Sequence, residues 1–328
     1  MKSNRFIDIA ATVIAAWLFF TPLAAWPQQA FPSKPIHVIV PFPPGAVLDN
    51  MARLVGQKVG QSTGQPVVVE NRAGANGMIG SEFVARSAPD GYTILATTTS
   101  THISAPFLVK KLPYDPRKDV TPITAAVDAV TVLAVNPSLP VNSARELVGY
   151  LKKNPGKVTY GTAGVGNAFH LIGEMFQMSQ GVELVHVPYK GIVQAVQETA
   201  SGQVNMVFSA VNNVLPHMKS GRLKVLAVLN PQRWNGLPDV PSTSEVLTGF
   251  QRPDSWFGFL GPANLPPPVL NRLNAELVKA LKAPDLDPKF EAMGVIVIAN
   301  SPQEFLQIYM AGFDVYGKII KAAGIQPE

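Results

Sequence analysis

The fold of this chain is indicated most directly by residues 36–54, which read IHVIVPFPPGAVLDNMARL. The apolar run Ile36–Val40 predicts a buried strand, and Pro41–Gly45 predicts a tight loop after it. A helix is expected to begin near Asp49, which we interpret as its N-cap. A strand that feeds a helix through a glycine-containing loop leaves backbone N–H groups facing a crevice, where the helix dipole adds partial positive charge. The segment therefore predicts an anion-binding site.

Strand and helix patterns alternate along the rest of the chain. Short runs rich in Val, Ile and Leu predict further strands at residues 66–70, 92–97, 131–135, 158–161, 184–187, 204–208 and 223–229. Amphipathic segments predict helices at residues 51–59, 77–87, 144–154, 168–179, 193–200, 213–220, 269–282 and 302–323. Buried strands between amphipathic helices predict an α/β fold with mostly parallel sheets.

Loops that carry glycine or hydroxyl residues follow several of the predicted strands. They lie at Pro43–Asp49, Thr97–His102, Thr162–His170, Pro188–Gly191 and Ser209–Asn213. Because α/β sheets bind ligands outside the carboxyl ends of their strands, these loops are expected to share one crevice. None of them matches G-x-x-x-x-G-K-[ST] or G-x-G-x-x-G, so a nucleotide phosphate is not indicated.

The first 30 residues have the layout of a secretory signal peptide. Lys2 and Arg5 precede an apolar run from Ile9 to Phe20, and small residues follow as far as Ala25. Cleavage is expected after Ala25 (residues 1–25), and at the latest after Ala30. The run is shorter than the roughly 20 apolar residues of a spanning helix, which disfavours the alternative of a retained membrane anchor. We therefore expect a protein exported to the periplasm.

Composition excludes several classes of function. The 328 residues include 27 Lys and Arg against 22 Asp and Glu, a formal net charge of +5. The basic residues are scattered, which favours mild attraction of small anions over the basic stripe that nucleic-acid binding needs. The chain has no cysteine, so it can form no disulfide and no thiolate metal site. We expect neither a cofactor nor a metal.

The five histidines lack the spacing of a zinc site, because none forms an H-x-x-x-H or H-E-x-x-H pair. His37 and His186 lie in predicted strands and are interpreted as packed core residues. His102 and His170 lie in predicted crevice loops, where each has two interpretations: contact with a ligand or a structural hydrogen bond.

Gly60-Gln61-Ser62-Thr63-Gly64 matches the G-x-S-x-G pattern of hydrolase nucleophiles. That chemistry requires a strand before the serine and a helix after it, whereas here a predicted helix precedes and a predicted strand follows. We therefore interpret the segment as a helix C-terminus and turn.

Ordered motifs run along nearly the whole mature chain. They are Phe31–Ile36, Val40–Gly45, Val67–Ala75, Ala88–Thr93, Leu112–Pro116, His186–Gly191, Leu237–Ser242, Ser255–Gly258 and Ala322–Ile325. Together these motifs resemble those of Bug-type receptors, the substrate-binding proteins of tripartite tricarboxylate transporters.

This resemblance implies a two-domain periplasmic binding protein of type II, a "Venus flytrap" in which each domain is a mostly parallel sheet flanked by helices. Residues 31–131 and 230–328 would form domain one, and residues 132–229 would form domain two. The hinge crossovers would lie near residues 131–136 and 224–230. The resemblance further implies a protein that holds a small organic carboxylate in its cleft and presents it to integral membrane transporter subunits. The oligomeric state cannot be read from the sequence, and we expect a monomer.

The resemblance also implies which residues contact the ligand. The first loop would contribute Pro44, Gly45, Ala46, Val47, Leu48 and Asp49, and the glycine loop of domain two would contribute Gly164, Gly166, Asn167, Phe169 and His170. The wall would be completed by Thr98, Ser100, His102, Tyr189, Lys190, Gly191 and Ser209.

The chain departs from the family pattern at three places. Ala46-Val47-Leu48 stands where two glycines and a threonine are usual, and Phe169 stands where Ser or Thr is common. Ser209 and Ala210 follow Phe208, where many members have Asp and Asn. These departures predict a carboxylate ligand with an apolar or aromatic body and no primary amine. Two alternatives stay open: a ligand-sensing receptor for a signalling partner, and an exported hydrolase or isomerase that uses the same cleft.

Overall fold

A computed structural model describes residues 31–327. The predicted signal peptide lies outside the described residues. The compact unit considered below begins at Lys34. No helix within residues 31–327 is long and apolar enough to cross a membrane.

The unit contains two mixed β-sheets. The six strands of the first sheet are β1 Ile36–Val40, β2 Val67–Asn71, β3 Thr93–Thr98, β4 Val120–Ala129, β10 Phe257–Pro262 and β11 Val295–Val297. The five strands of the second sheet are β5 Thr131–Val135, β6 Thr159–Thr162, β7 Val185–Pro188, β8 Met206–Ala210 and β9 Lys224–Val228. The order is β11-β4-β10-β3-β1-β2 in the first sheet and β7-β6-β8-β5-β9 in the second.

Helices connect the strands. They are α1 Val47–Thr63, α2 Met78–Ala85, α3 Ala105–Leu108, α4 Ala144–Lys153, α5 Ala168–Gln180, α6 Ile192–Ser201, α7 Val211–Lys219, α8 Thr243–Val246, α9 Pro267–Leu281, α10 Asp287–Ala292 and α11 Pro302–Ala322. A 3₁₀ turn at Ala75–Gly77 precedes α2, and a π-helical turn at Ser100–Ser104 runs directly into α3.

The prediction of mostly parallel sheets is wrong in detail. Only β1 with β2 and β3, and β6 with β7 and β8, pair in parallel. The antiparallel pairs of the first sheet all involve β4, β10 or β11, which were not predicted as strands. Those of the second sheet all involve β5. Strand β5 follows β4 of the first sheet directly, across Val130, rather than through a crossover helix. Such a crossover is what makes consecutive strands parallel, so this constraint does not act on β5 where it enters the second sheet.

Two predicted crevice loops are also absent. Strand β8 extends to Ala210 and α7 begins at the next residue, so Ser209–Asn213 is a strand end and a helix start. Strand β3 ends at Thr98, and the helical segment begins at Ser100.

Helix α5 packs against the cores of both sheets. Its Leu171 belongs to the cluster of the first sheet, with Trp256 and Tyr309. Its Phe176 belongs to the cluster of the second sheet, with Phe208. The loop that precedes α5 is therefore placed where elements of the two sheets meet.

The chain passes between the two sheets twice, from β4 to β5 and from β9 to β10. Hydrogen bonds join these two passages. Asn230, which follows β9, accepts from the Thr131 N–H at 3.0 Å and donates to Asp128 Oδ2 at 2.9 Å. The Asp128 carboxylate also pairs with the Arg252 guanidinium. The Asp128–Asn230–Arg252 cluster thus joins the end of β4, the start of β5 and the segment after β9.

Candidate functional site

Two adjoining cavities lie between elements of the first sheet and the glycine loop at residues 163–167. The smaller cavity has a volume of about 360 Å³ and the larger about 780 Å³. Both are lined by Asn76, Leu108, Val109 and Val165. Together they form the candidate cleft.

The glycine loop has a backbone that only glycine adopts easily. Gly164 and Gly166 have φ values of +113° and +75°. A Cβ on Gly166 would lie 3.1 Å from Leu108 Cδ2, so the missing side chain also allows the two walls of the cleft to approach.

The glycine N–H groups themselves are already engaged. The Gly164 N–H donates to Thr162 Oγ1 at 3.2 Å, and the Gly166 N–H donates to His170 Nδ1 at 3.0 Å. The expectation that these two amides bind a carboxylate therefore needs correction: in this structure they hold the loop in shape.

Helix α5 offers unpartnered N–H groups at its N-terminus instead. Asn167 caps the helix, and its Oδ1 accepts from the Phe169 N–H at 3.0 Å. The N–H groups of Ala168 and His170 have no hydrogen-bond partner among the described residues. Ala168 lines the smaller cavity, so partial positive charge at the helix N-terminus faces the cleft.

His170 and His186 stack beneath this loop, with ring centroids 4.0 Å apart. His170 Nδ1 accepts from the loop, and His186 Nε2 lies 2.6 Å from Thr162 Oγ1. Burial lowers the pKa of His170 despite the opposing Glu174, and burial followed by repulsion from His170 lowers the pKa of His186 to about 4. Both rings are therefore neutral at pH 7. They line the larger cavity and position the loop, so the interpretation of His186 as a core residue is only partly right.

Asp49 stabilises the first loop, residues 44–49, through hydrogen bonds. Helix α1 begins at Val47, so its N-cap is Ala46, and the prediction of Asp49 as N-cap is wrong. Asp49 occupies the third helical position, where its carboxylate accepts from the Gly45 N–H at 2.9 Å and from Asn71 Nδ2 at 2.8 Å. Its side chain is buried and also pairs with Arg53.

The electrostatics of Asp49 agree with this structural role. Burial raises the pKa of the carboxyl, but hydrogen bonds from Arg53, Gly45 and Asn71 outweigh burial and hold the pKa below its ordinary value. The carboxylate is therefore ionised and fully engaged at neutral pH.

Replacing Asp49 with Ala should lower the free energy of unfolding by about 1–3 kcal/mol, because Asn71 and the Gly45 N–H lose a buried acceptor. Urea unfolding followed by circular dichroism would measure the loss. Asn50→Ala is the matched control: the neighbouring Asn50 is exposed, and its side chain donates only to the Gly45 carbonyl, at 3.2 Å. Equal stability of the two variants would contradict this role for Asp49.

Several residues expected in the cleft lie in the protein core. Leu48 is the second residue of helix α1 and its side chain is buried, so of Ala46-Val47-Leu48 only Ala46 and Val47 are accessible. Ser209 is fully buried in β8, where its hydroxyl donates to the Ala210 carbonyl and accepts from Asn213. His102 is fully buried, with Nδ1 3.2 Å from the Tyr309 hydroxyl and Nε2 3.2 Å from Ser81 Oγ.

The remaining expected residues divide into two groups. Ser100, Gly166 and Asn167 line the smaller cavity, and His170 lines the larger. The others line neither cavity: Pro44, Gly45, Ala46, Val47, Thr98, Gly164, Phe169, Tyr189, Lys190 and Gly191. Phe169 packs against the core of the second sheet, and Lys190 is exposed.

Sequence reasoning missed several residues that line the cleft. They are Phe42, Asn76, Met78, Ser104, Ala105, Leu108, Val109 and, in the larger cavity, Ala323–Pro327. The Asn76-Gly77 pair was a turn signal that could have pointed to Asn76. Ser104 carries no comparable signal.

Comparison with known proteins agrees with this architecture. The family described as "Tripartite tricarboxylate transporter family receptor" matches residues 51–325. Protein BugT of Bordetella pertussis (strain Tohama I) is 33% identical over 305 residues, which are 93% of this chain and 93% of BugT.

Two solved structures extend the likeness to the fold. One, described as a periplasmic transporter, has 39% identity and a TM-score of 0.72, covering 90% of this chain and 99% of its own. The other, R. palustris Rpa4515 with adipate, has 30% identity and a TM-score of 0.73, covering 91% and 100%.

These findings confirm the α/β, two-domain periplasmic-binding-protein fold, with the correction that its sheets are mixed. They also confirm the resemblance carried by the sequence motifs. The chain belongs to the TctC family, the receptors of tripartite tricarboxylate transporters.

Proposed function

We propose that this chain is a monomeric periplasmic solute-binding protein that captures a small organic carboxylate and delivers it to the membrane subunits of a tripartite tricarboxylate-type transporter. The observation that carries the proposal is the N-terminus of α5, where the unpartnered Ala168 N–H faces a cavity of about 360 Å³. Such a terminus stabilises a carboxylate through N–H donors and the helix dipole. The similarity to an adipate-bound structure supports the same class of ligand.

The lining of the cleft favours a ligand with an apolar body. Phe42, Met78, Ala105, Leu108 and Val165 face the smaller cavity, where they would bury an aliphatic or aromatic skeleton. No Asp or Glu is among the described residues that line either cavity. A ligand ammonium would therefore lack a carboxylate partner, which disfavours amino acids.

Binding of the ligand would favour a closed conformation of the cleft, and the transporter subunits would recognise this closed conformation. In this proposal residues 31–131 with 230–328 move against residues 132–229 about the two passages of the chain between the sheets. Leu108 and Gly166 already approach each other across the cleft, and this contact is the expected point of closure.

A thermal-shift panel on the purified mature protein tests the proposal. Benzoate, hexanoate and adipate are compared with aspartate, glutamate and citrate. A ligand present at about 100 times its Kd stabilises the folded protein by about 2.7 kcal/mol, which is a readily measured shift in Tm. We expect stabilisation by members of the first group. Stabilisation by aspartate, glutamate or citrate alone would contradict the proposed ligand class. Native mass spectrometry of freshly purified protein would show independently whether a carboxylate is retained.

A further inference from the structure

The hydroxyl of Ser104 has no hydrogen-bond partner and is accessible from the smaller cavity. Ser104 as a residue is only 4% exposed, it lines this cavity, and its hydroxyl makes no hydrogen bond to any residue that the structure describes. A group bound in the cavity could therefore replace water as the hydrogen-bond partner of this hydroxyl.

Asn76 faces the same cavity from a constrained turn. It lies in the left-handed region with φ at +52°, between Ala75 at +46° and Gly77 at +91°. The turn is closed by the Gly77 N–H, which donates to the Gly74 carbonyl at 2.9 Å, and by Thr101 Oγ1, which lies 3.4 Å from the Asn76 carbonyl. Asn76 is exposed and lines both cavities, and its side-chain amide has no hydrogen-bond partner within residues 31–327. The amide is therefore available to a group bound in the cleft.

The chemistry of these two groups suits a hydroxyl better than a second carboxylate. A serine hydroxyl and an asparagine amide each can donate and accept, as a ligand hydroxyl does, whereas a carboxylate only accepts. The described residues around the smaller cavity include no charged side chain. A second carboxylate would lose its hydration without gaining a cation, which is costly.

We propose that Asn76 and Ser104 form a neutral polar subsite that binds a hydroxyl group of the ligand, while the ligand carboxylate lies at the N-terminus of α5. The preferred class of ligand is then a hydroxycarboxylate with an apolar spacer. This inference rests on the proposed function and specifies its substrate class.

Isothermal titration with hexanoate, 6-hydroxyhexanoate and adipate tests the subsite, because these probes differ only at the end distant from one carboxylate. We expect the wild-type protein to bind 6-hydroxyhexanoate about tenfold more tightly than hexanoate, and more tightly than adipate. In Ser104→Ala and in Asn76→Gly the ratio of the first two affinities should fall to about one. Ala75→Gly is the matched control: it relaxes the same turn at a residue that lines neither cavity, so it should keep the wild-type ratio.

Each other outcome overturns the subsite. Equal binding of hexanoate and 6-hydroxyhexanoate by the wild type, or tightest binding of adipate, would do so and leave the proposed function intact. An unchanged ratio in Ser104→Ala would do the same, and this conservative variant decides the matter if Asn76→Gly folds poorly. Binding of none of the three probes also overturns the subsite. The proposed function fails with it only if native mass spectrometry and the carboxylate panel are negative too.

Discussion

Replacing Arg252 with Met should lower the free energy of unfolding by about 3–5 kcal/mol at pH 7.5, because it leaves the Asp128 carboxylate buried without its cation. The side chains of Arg252 and Asp128 are only 4% and 15% exposed. Burial raises the pKa of Asp128 to about 6 although Arg252 opposes it. Without Arg252 this pKa rises further, so the variant must either bury an unpaired charge or take up a proton at pH 7.5, and both cost free energy. Asn230 would remain as a hydrogen-bond donor, but a neutral amide does not replace the cation.

Urea unfolding of Arg252→Met, followed by fluorescence and circular dichroism, measures this loss. The double variant Asp128→Asn/Arg252→Met should recover most of the stability, because it removes the unpaired charge. Arg233→Met provides the control: it breaks the bidentate Arg233–Glu245 pair, whose side chains are 49% and 43% exposed, so water can solvate the remaining charge and the loss should be small. If Arg252→Met were as stable as Arg233→Met, the Asp128–Asn230–Arg252 cluster would have no part in joining the sheets.

The two strands that were predicted with their correct bounds are rich in Val, Ile, Leu and Ala. Strand β1 has the predicted bounds Ile36–Val40, and β5 has the predicted bounds Thr131–Val135. The interpretation of the G-x-S-x-G segment as a helix end is also confirmed. Gly64 ends α1 in the left-handed conformation, with φ at +71° and its N–H donating to the Gly60 carbonyl. In these places local pattern and tertiary structure agree.

The strands that were missed contain residues that disfavour strands. Strand β10 includes Gly258, Gly261 and Pro262, and β4 includes Pro122. The structure supplies the reasons: a Cβ on Gly258 would lie 2.9 Å from the Thr124 carbonyl oxygen, and Pro122 pairs at a register shift between β4 and β10. Both reasons are contacts between segments far apart in the chain, so no local pattern reveals them.

The candidate site was predictable only in part, for a related reason. A strand–glycine–helix pattern predicted a crevice loop at residues 162–170; the structure has a loop at residues 163–167, and of the predicted contact residues Gly166, Asn167 and His170 line the cavities. The pattern does not show which polar groups are hydrogen-bonded within the loop itself. The hydrogen bond from the Gly166 N–H to His170 Nδ1 was therefore not predicted. His102 was misplaced because Tyr309, 207 residues later in the sequence, covers it.

Lowering the pH from 7 to 4.5 should reduce the free energy of unfolding by about 3 kcal/mol through His102 alone. His102 is fully buried, and burial lowers its pKa to about 3 from the ordinary value of 6.5. Below pH 6.5 the unfolded chain binds a proton at this residue and the folded protein does not, so stability falls as pH falls. The slope is about 1.4 kcal/mol per pH unit between pH 6.5 and pH 3.

The variant His102→Gln isolates this contribution, because Gln retains hydrogen-bonding atoms for Ser81 and Tyr309 but cannot titrate. Urea unfolding at half-unit steps from pH 7.5 to 4.5, without added carboxylate, gives the stability of each protein. The wild-type curve should fall more steeply than the variant curve, with a difference of about 3 kcal/mol accumulated by pH 4.5. The difference is informative because His170 and His186, whose pKa values are also lowered, steepen both curves alike. Parallel curves would mean that His102 accepts a proton in the folded protein, and thus that the core around Tyr309 admits a charge.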